Sequence, residues 1–306
     1  MNEIVLYERQ LHVMLPKRLD FSIVELLSQL LSRISKEIHT VEFDFQNTNF
    51  STLPGVMYLL LFAEYVRNHA SHVNVFIGNI SHALHKYFLR LNFYTAASSA
   101  RITIEKEDLT EERKFKQSLS NDNATIIFPI SIVNAKTGRS EYESNATAFV
   151  NKFSAFFHNM SNSPISDTLI LEFQSLYDVL NENVKNIYDH SESKGFASIH
   201  VSSFLNGITM AFFDPGIGIE KSAFNFNKLL GQKAIEWALE SGSTSKPDTN
   251  YGSGFAYMKH YTDIEKGLLT IRTTKYLYIY KNGIWQGREV QFFPGTQIVL
   301  FVPINQ

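Results

Sequence analysis

Three residues spaced by four, Glu182, Asn186 and His190, are the first candidates for chemistry in this sequence. Apolar positions at helical spacing predict a helix over Ser175–Asp189, and the spacing places the three side chains in one stripe beside its buried face. A carboxylate can accept a proton from water or a hydroxyl, and an amide oxygen is a hard, neutral ligand for Mg²⁺. A solvated helix edge is the alternative, and His190 can simply interact with the carbonyl groups at the helix end.

A second candidate is the segment Asp214–Ile219 (DPGIGI), which directly follows a predicted strand, Ile208–Phe213. A carboxylate at a strand end can accept a hydrogen bond from an exocyclic amine, and the two glycines let the backbone bend closely around a planar base. A plain Asp-Pro-Gly turn explains the same residues when they are taken alone. The position of Asp214, about thirty residues after Glu182, favours a shared site.

A third candidate is the string YGSGFA, which leads into a predicted short helix through Phe255. Backbone N–H groups at glycine-rich turns and helix N-termini bind phosphate. Such a string is also typical of a flexible linker, although here it lies between two periodic segments that both read as packed. Lys246, upstream in the same polar stretch, is either a γ-phosphate contact or an exposed loop lysine.

In their order along the chain, these segments resemble the motifs of the GHKL ATPases, the superfamily of gyrase, histidine kinases, mismatch-repair ATPases and anti-sigma-factor kinases. NENVKNIYDHS resembles the N-box, DPGIGI the G1 box, YGSGFA the G2 box of a mobile lid, and Gly295-Thr296 the G3 element. The resemblance implies ATP and Mg²⁺ as cofactors. It implies that Glu182 is the general base, Asn186 the magnesium ligand and Asp214 the acceptor for the adenine amino group, joined by the Thr296 hydroxyl.

The same resemblance assigns further residues to the nucleotide pocket. These are the glycines of the two boxes and their neighbours: Gly216, Gly218, Ile219, Gly252, Ser253, Gly254 and Phe255. The family often has a third glycine where this chain has Ala256, which implies a tighter phosphate approach or a different lid geometry.

The expected fold of residues 146–306 is a Bergerat-type α/β sandwich, with a mixed, largely antiparallel sheet and helices on one face. Alternating apolar residues predict its strands: Phe196–Phe204, Ile208–Phe213, Leu268–Thr273, Tyr276–Tyr280, Glu289–Phe293 and Gln297–Val302. Asn206-Gly207 and Asn282-Gly283 are the dipeptides most typical of hairpin turns. A helix is also expected over Ala234–Leu239.

Residues 1–100 alternate between strands and helices, which indicates a second α/β domain. The strands are predicted over Ile4–Leu15, Val41–Phe45 and Val73–Ile77, and the helices over Ile23–Ile34, Gly55–Asn68 and Ala83–Leu91. VEFDFQNTNFSTLPGVMYLLLF and HALHKYFLRLNFY resemble the STAS domain of anti-sigma-factor antagonists; any other small α/β domain is the alternative. Thr52-Leu53-Pro54 precedes Gly55 in place of the usual phosphoacceptor motif, which argues against regulation by phosphorylation there.

The stretch of residues 101–145 reads as a charged connector with one strand, Ile126–Val133, and Phe149–Met160 reads as an apolar helical face. The formal net charge is −2, and the Lys and Arg residues are scattered along the chain. This charge pattern predicts neither a nucleic-acid-binding surface nor a membrane-binding surface. The absence of cysteine excludes disulfides and thiol nucleophiles. The start of the chain lacks a secretory pattern, so we expect a soluble, cytoplasmic protein.

Three functions share such a pocket: an ATPase switch, a protein serine/threonine kinase of the anti-sigma-factor type, and a nucleotide-gated interaction module without turnover. Our preferred reading is an ATP-binding regulatory protein that hydrolyses Mg-ATP slowly. None of the ten histidines is followed by Asp or Glu, which disfavours a sensor histidine kinase. We expect a protein partner at the STAS-like domain or the lid, and the sequence leaves a homodimer open.

Overall fold

The computed structural model describes residues 3–104, 125–134, 179–180, 182–191, 193–202, 207–240 and 254–303. The chain divides into two compact units, Met1–Asp122 and Asn123–Gln306. The segment of residues 101–145, expected as a connector, contributes one strand to the sheet of each unit. The expected helix at Phe149–Met160 lies outside the described residues.

The first unit is built on a five-stranded sheet with the order β1-β2-β4-β6-β7. β1 is antiparallel to β2, and the remaining neighbours are parallel. The segment Ile4–Leu15 is a hairpin rather than one strand, because Glu8 adopts a φ of 48° at the reversal. The strands of this unit, including a separate two-residue pair of β3 and β5, are β1 (Glu3–Tyr7), β2 (Gln10–Met14), β3 (Arg18–Leu19), β4 (Thr40–Asp44), β5 (Phe50–Ser51), β6 (Asn74–Gly78) and β7 (Ile102–Ile104).

Four helices complete the first unit: α1 (Ile23–Arg33), α2 (Leu53–His69), α3 (His82–Arg90) and α4 (Phe93–Ser99). The start of α2 is fixed by Thr52, whose hydroxyl accepts a hydrogen bond from the Gly55 N–H at 3.3 Å. A Cβ on Gly55 would lie 2.3 Å from the Leu19 carbonyl oxygen, so this first turn packs against the chain with no room for a side chain. The first three helices confirm the sequence expectation; the hydrophobic pattern does not predict α4.

The second unit is built on a seven-stranded sheet with the order β13-β12-β11-β14-β10-β9-β8, in which every neighbouring pair is antiparallel. Its strands are β8 (Thr125–Asn134), β9 (Lys194–Ser202), β10 (Gly207–Asp214), β11 (Leu268–Thr273), β12 (Tyr276–Lys281), β13 (Ile284–Glu289) and β14 (Thr296–Pro303). The strand expected at Glu289–Phe293 is wrong, because β13 follows the Asn282-Gly283 turn at once and ends at Glu289. Asn206 lies outside the described residues.

The described helices of the second unit are α5 (residues 182–190), α6 (Gly218–Asn227), α7 (Gln232–Leu239) and α8 (Gly254–Ile264). All four contribute buried residues to one hydrophobic cluster with alternate residues of the sheet. The cluster includes Ile187 from α5, Ile219 from α6, Ile235 from α7 and Met258 from α8. The unit is therefore a mixed α/β structure around an antiparallel sheet. No described helix is long and apolar enough to cross a bilayer.

Candidate functional site

The helix α5 presents the predicted stripe as expected. Val184 and Ile187 are buried in the core, whereas Glu182, Asn186 and His190 are half-buried along its edge. A helical residue advances about 1.5 Å along the axis, so Asn186 lies about 6 Å, and Glu182 about 12 Å, before His190. The stripe therefore runs for about two turns back from the end of the helix.

Two glycines bring the end of α5 against the end of β10. A Cβ on Gly195 would lie 2.2 Å from Cγ2 of Ile187 and 2.9 Å from the Phe213 carbonyl oxygen. A Cβ on Gly216 would lie 2.2 Å from the His190 carbonyl oxygen. Because no side chain fits at either position, the last turn of α5 and the DPGIGI turn are in van der Waals contact. The structure thus brings the N-box-like helix next to the G1-like segment.

Asp214 is the last residue of β10, and it is only 6% exposed. Its Oδ1 accepts a hydrogen bond from the Gly216 N–H at 2.8 Å, the arrangement of an Asx turn. Burial raises the pKa of the Asp214 carboxyl to about 7, against a smaller lowering by the Gly216 hydrogen bond. Near neutral pH the carboxyl is therefore a mixture of its protonated and ionised forms, and a nearby N–H donor would favour the ionised form.

The residues beside Asp214 are set by strand register. Asp214 lies opposite Thr296 on β14, and Thr296 lies opposite Thr273 on β11, so the three form a row across the sheet end. Residues directly opposite in an antiparallel pair point to the same face. Thr296 is buried. The structure therefore places Asp214 and Thr296 side by side on one face of the sheet.

Gly295 closes this row from behind. Its φ is 74°, and a Cβ there would lie 1.7 Å from the Asp214 carbonyl oxygen. Its own carbonyl accepts a hydrogen bond from the Thr274 N–H at 3.2 Å. The backbone of the G3-like element is thus wedged between the ends of β10 and β11, where glycine alone fits.

The G1-like segment continues across the sheet end into α6. Gly218 begins α6 with a φ of 79°, and the Ile219 N–H donates to Oγ1 of Thr273 at 2.9 Å. Thr273 in turn donates to Oε2 of Glu220 at 2.7 Å, and Thr274 donates to the same oxygen at 3.3 Å. The segment is therefore tied to β10 at one end and to β11 at the other.

Glu220 and Thr273 are site residues that the sequence analysis missed. Glu220 is 7% exposed, and burial raises the pKa of its carboxyl while the threonine hydrogen bonds lower it. A glutamate in the first turn of a helix and a threonine at a strand end are both common, so neither gives a signal in the sequence. Only the fold brings them together.

The glycine-rich G2-like string is described only from Gly254, which is the first residue of α8; Gly252 and Ser253 lie outside the described residues, as does Lys246. Phe255 is half-buried against the core. Further along α8, Met258 accepts a hydrogen bond at Sδ from Nδ2 of Asn183 at 3.3 Å. Asn183 follows Glu182 directly, so the second turn of α8 lies near the start of α5.

The described residues contain no cluster of three or more His, Asp or Glu side chains suited to hold a metal by themselves. The residues that are present fit the other arrangement, in which the protein supplies one amide oxygen, from Asn186, and phosphate oxygens and water complete the shell. The contacts at Gly195, Gly216 and Gly295 are with protein atoms, so these glycines fix the position of the buried Asp214 carboxylate at the sheet end.

The chain was compared with protein-family models, curated proteins and solved structures. No protein-family model matches the chain, and no curated protein is significantly similar to it. Among solved structures, a sulfate transporter family protein from Wolinella succinogenes matches 37% of this chain and 92% of its own, at 14% identity and a TM-score of 0.29. The murine Solute Carrier 26 family member A9 anion transporter matches 37% of this chain and 18% of its own, at 16% identity and a TM-score of 0.27. TM-scores of this size do not establish a shared fold.

Proposed function

We propose that the second unit is a GHKL-type nucleotide-binding domain, that it binds Mg-ATP, and that it hydrolyses ATP slowly as a regulatory switch. One observation carries this proposal: a buried carboxylate, Asp214, at the end of a central strand, with the end of α5 packed directly against the following glycine turn. A simple Asp-Pro-Gly turn needs neither the burial nor the contact with α5.

The base end of the pocket follows from hydrogen-bonding chemistry. An ionised Asp214 accepts from the exocyclic amino group of adenine, whereas guanine presents an oxygen at that position and is rejected. The hydroxyl of Thr296, opposite on β14, can donate to a ring nitrogen or bridge through water. Selectivity for adenine over guanine nucleotides is therefore the most direct consequence.

In this proposal, residues of α5 and α8 form the part of the pocket that binds the phosphates and Mg²⁺. Asn186 supplies an amide oxygen to Mg²⁺, and Glu182, one turn earlier, accepts the proton of the attacking water. The start of α8 at Gly254 is a helix N-terminus, whose backbone N–H groups would donate to the phosphates. ATP supplies the transferable phosphoryl group; the protein supplies position, a proton acceptor and charge compensation.

For the first unit we infer a STAS-like fold and a role in binding a protein partner. This inference is supported by its own topology, in which parallel strands β2, β4, β6 and β7 alternate with helices and a hairpin strand, β1, extends the edge. Leu53 and Pro54 stand before Gly55 where the STAS phosphoacceptor motif has hydroxyl residues, and the Thr52 hydroxyl caps α2. We therefore propose that a partner is bound without phosphorylation at this loop.

The test is calorimetry with Mg²⁺ and ATP, ADP or GTP, followed by incubation with ATP labelled on the γ-phosphate. We expect binding of ATP and ADP, no binding of GTP, and slow release of free labelled phosphate. Label transferred to a protein would instead indicate a kinase, and bound, unchanged ATP would indicate a gated module. Absence of heat with every adenine nucleotide would overturn the proposal.

The catalytic role of Glu182 is tested by Glu182→Gln, which keeps the shape and removes the base. We expect phosphate release to fall by about 100-fold, the usual contribution of a general base, with the Kd for ATP within threefold of wild type. Asp189→Asn, on the same helix but outside the stripe, is the matched control and should release phosphate normally. Equal turnover by Glu182→Gln would remove the assigned role.

A further inference from the structure

The connection from β10 to α6 has a second anchor that the nucleotide contacts do not require. Asp214 and Thr273 are separated by β14, so the chain between Asp214 and Ile219 spans two strand spacings, about 10 Å. Two of its residues, Gly216 and Gly218, are glycines. Such a segment has many accessible backbone conformations unless both of its ends are held.

The second anchor is a hydrogen-bond relay of three buried groups. The Ile219 N–H donates to Oγ1 of Thr273, and Thr273 donates to Oε2 of Glu220, with Thr274 donating to the same oxygen. The hydroxyl of Thr273 thus uses its donor and an acceptor position at once. Removing this hydroxyl leaves the Ile219 N–H without its partner and leaves Oε2 of Glu220 with only the longer hydrogen bond from Thr274.

The buried carboxylate of Glu220 is energetically unfavourable for folding. It is 7% exposed, and among the described residues its Oε1 has no hydrogen-bond partner although it is buried. A buried carboxylate of this kind stabilises a fold less than an apolar side chain of the same size. Its presence is explained if the relay serves binding rather than folding stability, as strained groups at functional sites do.

We propose that Glu220 and Thr273, together with the Ile219 N–H, form a latch that holds the G1-like turn in the shape that binds adenine. This inference rests on the proposed function, because the turn it positions is the adenine-binding turn. Glu220 and Thr273 are positioning residues: they act through Gly216, Gly218 and Asp214 and do not contact the nucleotide.

The latch is tested with Thr273→Val, which keeps the shape and removes the hydroxyl. We expect the Kd for ADP to rise about tenfold, the size of one lost buried hydrogen bond. Thr273→Ser restores the hydroxyl and should bind ADP within twofold of wild type. Thr270→Val, a buried threonine on the same strand away from the turn, is the matched control and should leave binding unchanged.

A second variant, Glu220→Met, tests the latch independently of whether Thr273→Val folds. Glu220→Met removes a buried carboxylate and therefore favours folding, yet it should also raise the Kd for ADP about tenfold. The double variant should be no weaker than either single one, because both break the same relay. Wild-type protein that binds ADP together with unchanged Kd values in both variants would overturn the latch alone. Wild-type protein that binds no adenine nucleotide would overturn the proposed function and the latch with it.

Discussion

The two units each contain a buried aspartate at the end of a strand, Asp44 on β4 and Asp214 on β10, and the two differ in what surrounds them. Both form the same Asx turn: Oδ1 of Asp44 accepts from the Gln46 N–H at 2.8 Å, and Oδ1 of Asp214 accepts from the Gly216 N–H at the same distance. They are 5% and 6% exposed. Local sequence and burial therefore do not distinguish them.

The two aspartates differ in the groups that contact their carboxylates. Asp44 also accepts from Nδ2 of Asn79 at 3.1 Å, and its Oδ2 lies 3.6 Å from Nε2 of His12. The neighbours of Asp214 are instead glycine backbone and the Thr296 strand end, and burial raises the pKa of its carboxyl to about 7. Among the described residues, the Asp44 carboxylate thus has contacts with Gln46, Asn79 and His12, whereas the sequence neighbour Gly216 supplies the hydrogen bond to Asp214. Under the proposed function, the remaining acceptor positions of Asp214 serve the nucleotide.

The largest expected effect is on the free energy of unfolding, and it comes from replacing Gly295, the glycine packed against Asp214. Gly295→Ala places a methyl group 1.7 Å from the Asp214 carbonyl oxygen at a φ of 74°, so it should lower the free energy of unfolding by about 4 kcal/mol or more. Gly283→Ala is the matched control, because Gly283 has a φ of 77° but no atom within 4 Å of the added carbon. It should cost only about 1 kcal/mol.

Urea unfolding followed by tryptophan fluorescence measures both glycine variants, since the only two tryptophans, Trp237 and Trp285, lie in the second unit. Equal losses of stability in the two variants would mean that the wedge of Gly295 against Asp214 is not present in solution.

The next largest effect is on the Kd for ATP when the two aspartates are replaced by asparagine. Asp214→Asn keeps the Asx turn and replaces an acceptor by an amide, so the Kd for ATP should rise about 100-fold, the loss expected for a buried hydrogen bond to a charged group. Asp44→Asn should leave the Kd unchanged. Calorimetry measures both. A loss of affinity in Asp44→Asn equal to that in Asp214→Asn would abolish the distinction between the two carboxylates.

The smallest effect is the pH dependence of stability that Asp214 carries. Its folded pKa of about 7 lies above the ordinary value of 3.8, so the folded state binds the proton more tightly than the unfolded state. This contribution is fully present below about pH 4 and is lost as the pH rises through 7. Between pH 5 and 7 the wild type should therefore lose about 2 kcal/mol relative to Asp214→Asn.

Urea unfolding of the wild type and Asp214→Asn at both pH values checks this difference, and subtraction of the two proteins cancels the similar contribution of Glu220. Parallel pH profiles for wild type and variant would show that Asp214 is not buried as an acid in the absence of ligand.

Much of the fold was predictable because its signals are local. Alternation of apolar residues gave β4, β6, β10, β11 and β14 within a few residues, and helical spacing gave α1 and α2. The hairpin within Ile4–Leu15 escaped prediction, because its turn residues, Glu8 and Arg9, are not the Gly, Asn or Asp residues typical of hairpin turns. The helix α6 escaped because its first residues read as a glycine turn and its outer residues, Phe224 and Phe226, are apolar and exposed.

The sequence alone determined the order of the chemical segments, the stripe of Glu182 and Asn186 on one helix, and the position of Asp214 at a strand end, because these depend on periodicity and turn chemistry. Only the tertiary structure decided that Thr296 and Thr273 share a row with Asp214, that Gly195 and Gly216 admit α5 to the sheet end, and that Glu220 closes a buried relay. Such contacts join residues far apart in the chain, and the pairing of strands that are not neighbours in sequence, such as β14 with β10 and β11, decides which of them meet.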